Sequence, residues 1–254
     1  MKILVTNDDG VTEPGLLALA QALRRLGDVH ILAPDRNWSA SGHVKTMTRP
    51  LRVKTVQLTD GTTAHTSDGA PSDCVALGLL GLLDVEFDLV VSGINPNANV
   101  GHDITYSGTV TAAMEAVIGG IPGIAVSLDT PEHTPHPINF APAAHIASQI
   151  VNRMSEIGLP PNTLLNVNVP YGTADSINGW KITRQGQRVY RDRLDKRHDP
   201  RNRPYYWIGG DMPTGIVEDG TDIGALAEHY VSITPLQLDL TDYEKFDGLR
   251  GLET

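Results

Sequence analysis

Short apolar runs rich in β-branched residues recur along the first two-thirds of the chain, each followed by apolar positions spaced three and four apart. Residues 2–6 (KILVT) predict a buried parallel strand. Leu16, Ala20, Leu23 and Leu26 behind it predict a helix, with Pro14 in the first turn and Gly27 at the stop. Residues 29–33 predict the next strand, and strand, helix, strand in this space is a right-handed βαβ unit. The pattern repeats through a helix at 71–83, a strand at 87–91, a helix at 109–118, a strand at 123–128, a helix at about 143–157 and a strand at 164–169. The fold class this predicts is α/β, a parallel sheet with helices on both faces.

Two stretches break the pattern. TPEHTPHPINFAP, residues 130–142, carries four prolines and predicts a surface connection. Beyond Gly179, residues 180–190, 205–208 and 230–240 predict strands of an antiparallel β-hairpin extension. Between the first two lies RDRLDKRHDPRNRP, with six basic and three acidic residues. Such a mixed run predicts a solvated loop or a subunit contact, its rival being an arm that reaches a neighbour's site. The expected organisation is one domain over 1–254, with an α/β core to about 178 and the extension from 179.

Composition narrows the function classes. A chain of 254 residues with 40% hydrophobic content can bury one sizeable core. Its net charge of -10 argues against a nucleic-acid polymer as partner, because that affinity rests on neutralising phosphates with Lys and Arg. A small anion held at one point is compatible with the same charge. Cys74 is the single cysteine, so no intrachain disulfide or thiolate metal cluster is available, and it reads as a small buried apolar residue. No long apolar stretch follows the first strand, so neither a signal peptide nor a membrane span is expected, and the cytoplasm is the expected compartment.

Candidate chemistry gathers where the strands end. The first runs directly into Asn7-Asp8-Asp9-Gly10, and open α/β sheets bind ligands at the carboxyl ends of their strands. Two carboxylates 4 Å apart repel by about 4 kcal/mol at an effective dielectric near 20, so a positive charge between them is expected. The second strand opens into PDRNWSASGH, where Ser39 and Ser41 offer hydroxyls and Gly42 lets backbone amides approach a ligand. A third, FDLVV, leads into the long polar segment SGINPNANVGHDITYSGTV, in which Asn95 offers a neutral oxygen and Ser107-Gly108-Thr109 immediately precedes a helix. A hydroxyl and free amides at a helix N-terminus form an anion site. Each feature has a plainer reading: Asp8 and Ser107 as helix caps, the asparagines as turn residues. Taken together on one rim, Asp, Asp, Ser and Asn are hard oxygen donors suited to Mg²⁺ or Mn²⁺.

ILVTNDDG, APDRNWSASG, GAPSDCVALG, SGINPNANVGHDITYSGTVTAAMEA, LLNVNVP and GTDIGALAEHYVSITPL, in this order, resemble the SurE family of stationary-phase survival proteins, metal-dependent nucleoside monophosphate phosphatases. The resemblance covers nearly the whole chain. It implies a Rossmann-like core with a C-terminal β-hairpin that exchanges between subunits of a homodimer or homotetramer. It also implies one divalent cation per subunit, Mg²⁺ or Mn²⁺, coordinated by Asp8, Asp9, Ser39 and Asn95, with the substrate phosphate received at Ser107, Gly108 and Thr109 and Asn95 also on the substrate side. The implied reaction is hydrolysis of nucleoside monophosphates, 5′ with 3′ as a second position. The chain departs from the family pattern at Asn97, where a glycine is usual, at Pro96 beside Asn95, at His102, where an acid is common, and at Ala70, where threonine is usual.

On that basis Asp8 or Asp9 is the candidate base for the attacking water. His43 is a candidate proton donor to the leaving oxygen, against the plainer reading of a solvated loop histidine. Trp38 and Tyr106 are candidates to stack on a base, against simple packing. The rival classes are a metal-binding receiver-like signalling protein and a nucleotide-binding regulator without turnover. A receiver needs a phosphoacceptor aspartate at another strand end, where this chain has Ser92, Gly93, Ile94 and Asn95. A regulator predicts binding without turnover.

Overall fold

A computed structural model describes residues 1–253. The chain opens β1 (Lys2–Thr6), α1 (Pro14–Leu23), β2 (Asp28–Pro34), β3 (Val53–Gln57), β4 (Thr63–Ser67) and α2 (Pro71–Leu79). It continues through β5 (Leu89–Asn95), α3 (Gly108–Ile118), β6 (Gly123–Asp129), α4 (Ala141–Ile157) and β7 (Thr163–Pro170). The last third holds β8 (Trp180–Ile182), β9 (Arg188–His198), β10 (Pro204–Gly215), α5 (Asp222–Ala227) and β11 (Val231–Gln237).

Nine strands form one sheet in the order β3-β4-β2-β1-β5-β6-β7-β11-β8. From β4 to β7 all neighbours are parallel, while β3 runs antiparallel to β4 and β11 antiparallel to β7. Alternation along each strand sends side chains to opposite faces. Ile3 and Val5 of β1 join Leu16, Leu19 and Leu23 of α1 and Ile146 and Ile150 of α4 on one face. Leu4 faces the other way, onto Cys74 and Val75 of α2 and Ala112 and Ala116 of α3. Leu16, Leu19 and Leu23 are fully buried, and burying each contributes roughly 1.5–3 kcal/mol. The sheet is therefore covered on both faces, as its apolar runs predict.

Several expectations change. β3 and β4 were not predicted: VKTVQ and TAHTS lie toward the sheet edge and carry too many polar residues to read as buried strands. The third central strand does not stop at Val91 but runs through Ser92, the last residue with a partner on β1, to Asn95, held beyond that by β6. Two of the strands assigned to the extension, β8 and β11, instead complete the main sheet. The basic run is mostly strand rather than loop, because β9 and β10 pair with each other as a separate two-stranded ribbon.

Candidate active site at the switch point of the sheet

From β1 the chain moves to β2 on one side, and it later returns to place β5 on the other. That reversal is the topological switch point of an open α/β sheet, where a crevice forms outside the strand ends. Asp8 and Asp9 follow β1, and Asn95 is the last residue of β5. The sheet's connectivity thus brings the carboxylate pair and the asparagine to one rim.

Asn7 shapes the acidic turn. Its Nδ2 donates to the Gly10 carbonyl at 2.9 Å, and its Oδ1 accepts from the Gly10 amide at 3.2 Å. Gly10 sits at φ +127°, where a side chain would be strained. The loop after β2 is pinned on top: the Trp38 amide donates to the Asp8 carbonyl at 2.7 Å, and Asn37 Nδ2 donates to Asp9 Oδ1 at 3.3 Å. Asn37 Oδ1 also accepts from the Ser39 amide at 2.7 Å, so Asn37 ties Ser39 to the acidic turn. Ser39 itself is exposed.

The start of α3 closes on Asp8 from the other side. Thr109 Oγ1 donates to Asp8 Oδ1 at 2.5 Å. A Cβ on Gly108 would lie 2.7 Å from Asp8 Cβ, so only glycine lets the helix N-terminus come this near. Ser107 caps α3, its Oγ accepting from the Val110 amide at 3.1 Å. The capping reading of Ser107 is thereby met, and the rim keeps the anion-receiving amides of the first turn. Asn95 Nδ2 donates to the Asn97 carbonyl at 2.6 Å, which leaves its Oδ1 as the acceptor side.

Burial raises the Asp8 carboxyl above its usual range, against the Thr109 hydroxyl and backbone bonds that lower it. Asp9 is pushed up to about 7, first by burial and then by the charges of Asp8 and Glu13. Among the described residues neither carboxylate forms an ion pair with a cationic side chain, the situation a cation relieves. Among the described residues no three His, Cys, Asp or Glu converge, so a cation at this rim would rest on two carboxylates and neutral oxygens. Such an all-oxygen set fits a hard divalent ion.

His43 is engaged elsewhere. Its Nε2 lies 2.9 Å from Glu115 Oε2 on α3, and Lys45 Nζ donates to Glu115 Oε1 at 2.8 Å. Trp38 carries the Arg36 guanidinium 4.9 Å above its ring, whereas Tyr106 is exposed. The segment from Asn95 to Ser107 is anchored by partners that sequence reasoning missed. The Asn99 amide donates to Asn168 Oδ1 at 2.8 Å and the Gly101 amide to Asp222 Oδ2 at 2.8 Å. Arg188 Nε and the Tyr190 hydroxyl both donate to Asp103 at 2.6 Å. These partners are distant in sequence, and only the fold brings them to the loop.

A Rossmann-like α/β core with two carboxylates and an asparagine at its switch point makes this an α/β protein with its candidate site at the carboxyl ends of the strands. Within that class, the family model described as Survival protein SurE matches residues 3–192. The 5'-nucleotidase SurE of Herpetosiphon aurantiacus is 55% identical over 244 residues, 96% of this chain and 95% of the relative. That of Chloroflexus aggregans is 51% identical over 253 residues, 100% of this chain and 99% of the relative. The crystal structure of the SurE protein from Aquifex aeolicus superposes with a TM-score of 0.84 at 42% identity, covering 100% of both chains. The chain belongs to the SurE family.

Proposed function

We propose that the protein is a metal-dependent phosphomonoesterase that hydrolyses nucleoside monophosphates to nucleoside and phosphate, the 5′ esters foremost and the 3′ esters as a second position. The observation that carries this reading is the contact of the α3 N-terminus with Asp8, which sets anion-binding amides against a carboxylate pair. The names of the relatives, 5'-nucleotidase SurE, support it.

One divalent cation per subunit, Mg²⁺ or Mn²⁺, would be held by Asp8, Asp9, Ser39 and Asn95. Such an ion supplies polarisation of a phosphoryl oxygen and acidifies water. The chain's own groups do the rest. Ser107, Gly108 and Thr109 receive the phosphate oxygens at the helix N-terminus and steady the charge that develops there. Thr109 fixes the rotamer of Asp8. Asp9, restrained by one long bond from Asn37, is the base that takes the proton of the attacking water. His43, paired to Glu115, is read as a brace between its loop and α3 rather than as the acid.

The assembly we propose is a homodimer or homotetramer joined through the β9–β10 ribbon. Leu194, Trp207, Ile208 and Met212 are exposed on it in the single chain, an apolar surface that a second copy would cover. No helix among the described residues is long and apolar enough to cross a membrane. Cys74 is buried and unpaired, which fits a reducing compartment, the cytoplasm. The test is phosphate release from a panel of nucleoside monophosphates by chelator-treated protein, with and without Mg²⁺ or Mn²⁺. Metal-dependent turnover is the expected result; nucleotide binding without turnover would favour a regulator.

A further inference from the structure

Of the residues proposed to hold the cation, Asp8 and Asp9 follow β1 and Asn95 ends β5, but Ser39 lies on the loop after β2, outside the sheet. The bonds of Asn37 and Trp38 to the acidic turn hold that loop just before Ser39. Beyond Ser39 it is seated at Gly42, whose amide donates to the Tyr106 carbonyl at 2.9 Å. Gly42 has φ +64°, and a Cβ there would lie 3.2 Å from the Thr105 carbonyl oxygen, so the two backbones meet closely. The place of Ser39 therefore depends on the turn from Asp103 to Tyr106.

That turn is fastened from the root of the ribbon. Arg188 and Tyr190 stand two apart on β9 and so share one face of it. Arg188 Nε donates to Asp103 Oδ2 and the Tyr190 hydroxyl to Oδ1, both at 2.6 Å, so each carboxylate oxygen has its own donor. The Asp103 carbonyl in turn accepts from the amides of Tyr106 and Ser107, both at 3.0 Å. A second fastening stands beside the first: buried Asp222 accepts from the Gly101 amide at 2.8 Å and from the Gly186 amide at 2.7 Å, which ties the chain before the turn to the chain entering β9. We infer that Arg188 and Tyr190 are positioning residues of the metal site, setting the Ser39 loop through Asp103 and Tyr106, an inference that rests on the function proposed above. The ribbon does not need this latch for its own fold, because β9 is paired along its length with β10. Charge-assisted bonds to both oxygens of one carboxylate fix its direction as well as its distance, which is what a ligand on an otherwise exposed loop requires.

The experiment measures the Kd for Mn²⁺ by electron paramagnetic resonance on chelator-treated protein, with Tyr190→Phe and Arg188→Lys combined. The Kd should rise roughly tenfold, the lower end of what partners outside the ligand shell contribute, while the melting temperature in chelator stays at the wild-type value. Tyr190→Phe alone removes one hydroxyl and should give a smaller shift in the same direction. Ser39→Ala should also raise the Kd, and adding it to the latch variant should weaken binding no further than Ser39→Ala does alone, because both changes act on one ligand. Arg191→Lys, whose side chain bonds Thr214 within the ribbon, should leave the Kd unchanged. A wild-type Kd in the latch variant, with or without a lower melting temperature, or losses that multiply when Ser39→Ala is added, would overturn the assignment. Wild-type protein that binds Mn²⁺ but releases no phosphate from adenosine 5′-monophosphate would instead overturn the proposed function and leave the latch standing.

Discussion

Replacing Asp9 by Asn should stabilise the metal-free protein at neutral pH while abolishing turnover. Burial and the neighbouring charges raise the Asp9 carboxyl from its ordinary 3.8 to about 7. An acid whose folded pKa lies above its unfolded value holds an extra proton when folded, so stability falls as pH rises between the two values. The window is therefore pH 4 to 7, and above it the penalty is fully present. Between pH 5 and pH 8 the wild type should lose about 2–3 kcal/mol relative to Asp9→Asn, at 1.36 kcal/mol per pKa unit. For a chain of this size that is roughly 5–10 °C in Tm. Asparagine keeps an oxygen for the Asn37 amide, so the loop contact survives. The assay is thermal unfolding of both proteins in chelator at pH 5, 6, 7 and 8, repeated with excess Mn²⁺. A gap that opens with pH in chelator, and that closes with Mn²⁺ in the wild type, is the expected result. A gap that is the same at pH 5 and pH 8 would mean that the Asp9 carboxyl does not carry the extra proton in the folded protein.

Gly108→Ala should cut kcat sharply. Its Cβ would lie 2.7 Å from Asp8 Cβ and 3.2 Å from Pro71 Cγ, so α3 must retreat, and misplacement by about 1 Å costs on the order of 10²-fold in rate; comparison of phosphate release with far-UV circular dichroism separates this from unfolding. Glu115→Gln should cost about 1–3 kcal/mol at pH 7, because a buried carboxylate loses its bonds from His43 and Lys45. Although burial raises the Glu115 carboxyl, the His43 and Lys45 bonds together hold it below the usual range. Its stabilisation is thus present above about pH 4.5 and lost as pH falls through the lower folded value, so urea midpoints of variant and wild type should converge in acid. If a second copy covers the β9–β10 ribbon as proposed, Trp207→Asp with Ile208→Asp should give a smaller particle than the wild type in light scattering, since both residues are exposed on the ribbon of the single chain.

Much of the core was legible because each central strand is apolar on both faces and each helix carries its own stripe. The acidic turn, Asn95 and the Ser107 cap stood out for the same reason: polar residues at the end of an apolar run are conspicuous. What stayed hidden depends on partners rather than on local pattern. VKTVQ becomes a strand because β4 lies beside it, and Ser92–Asn95 remain in β5 because β6 goes on pairing with them after β1 has ended at Thr6. The charged run of β9 is extended although both its faces meet solvent, since β10 satisfies its backbone. The proline-rich segment was recognisable as irregular, but that His136–Ile138 and Phe140 line one cavity with Asp9 is a tertiary fact. Likewise, no spacing announces that Arg188 and Tyr190 would meet Asp103.

The central claim is that Asp8 and Asp9 hold the cation on which turnover depends. A Mn²⁺ titration of chelator-treated protein, followed by electron paramagnetic resonance with phosphate release measured on the same samples, tests it most directly. One bound Mn²⁺ per subunit, turnover rising with its occupancy, and loss of both in Asp8→Asn are the predicted results. Turnover that proceeds without regard to Mn²⁺ occupancy, or that persists in Asp8→Asn, would mean that the acidic turn is not the catalytic metal site.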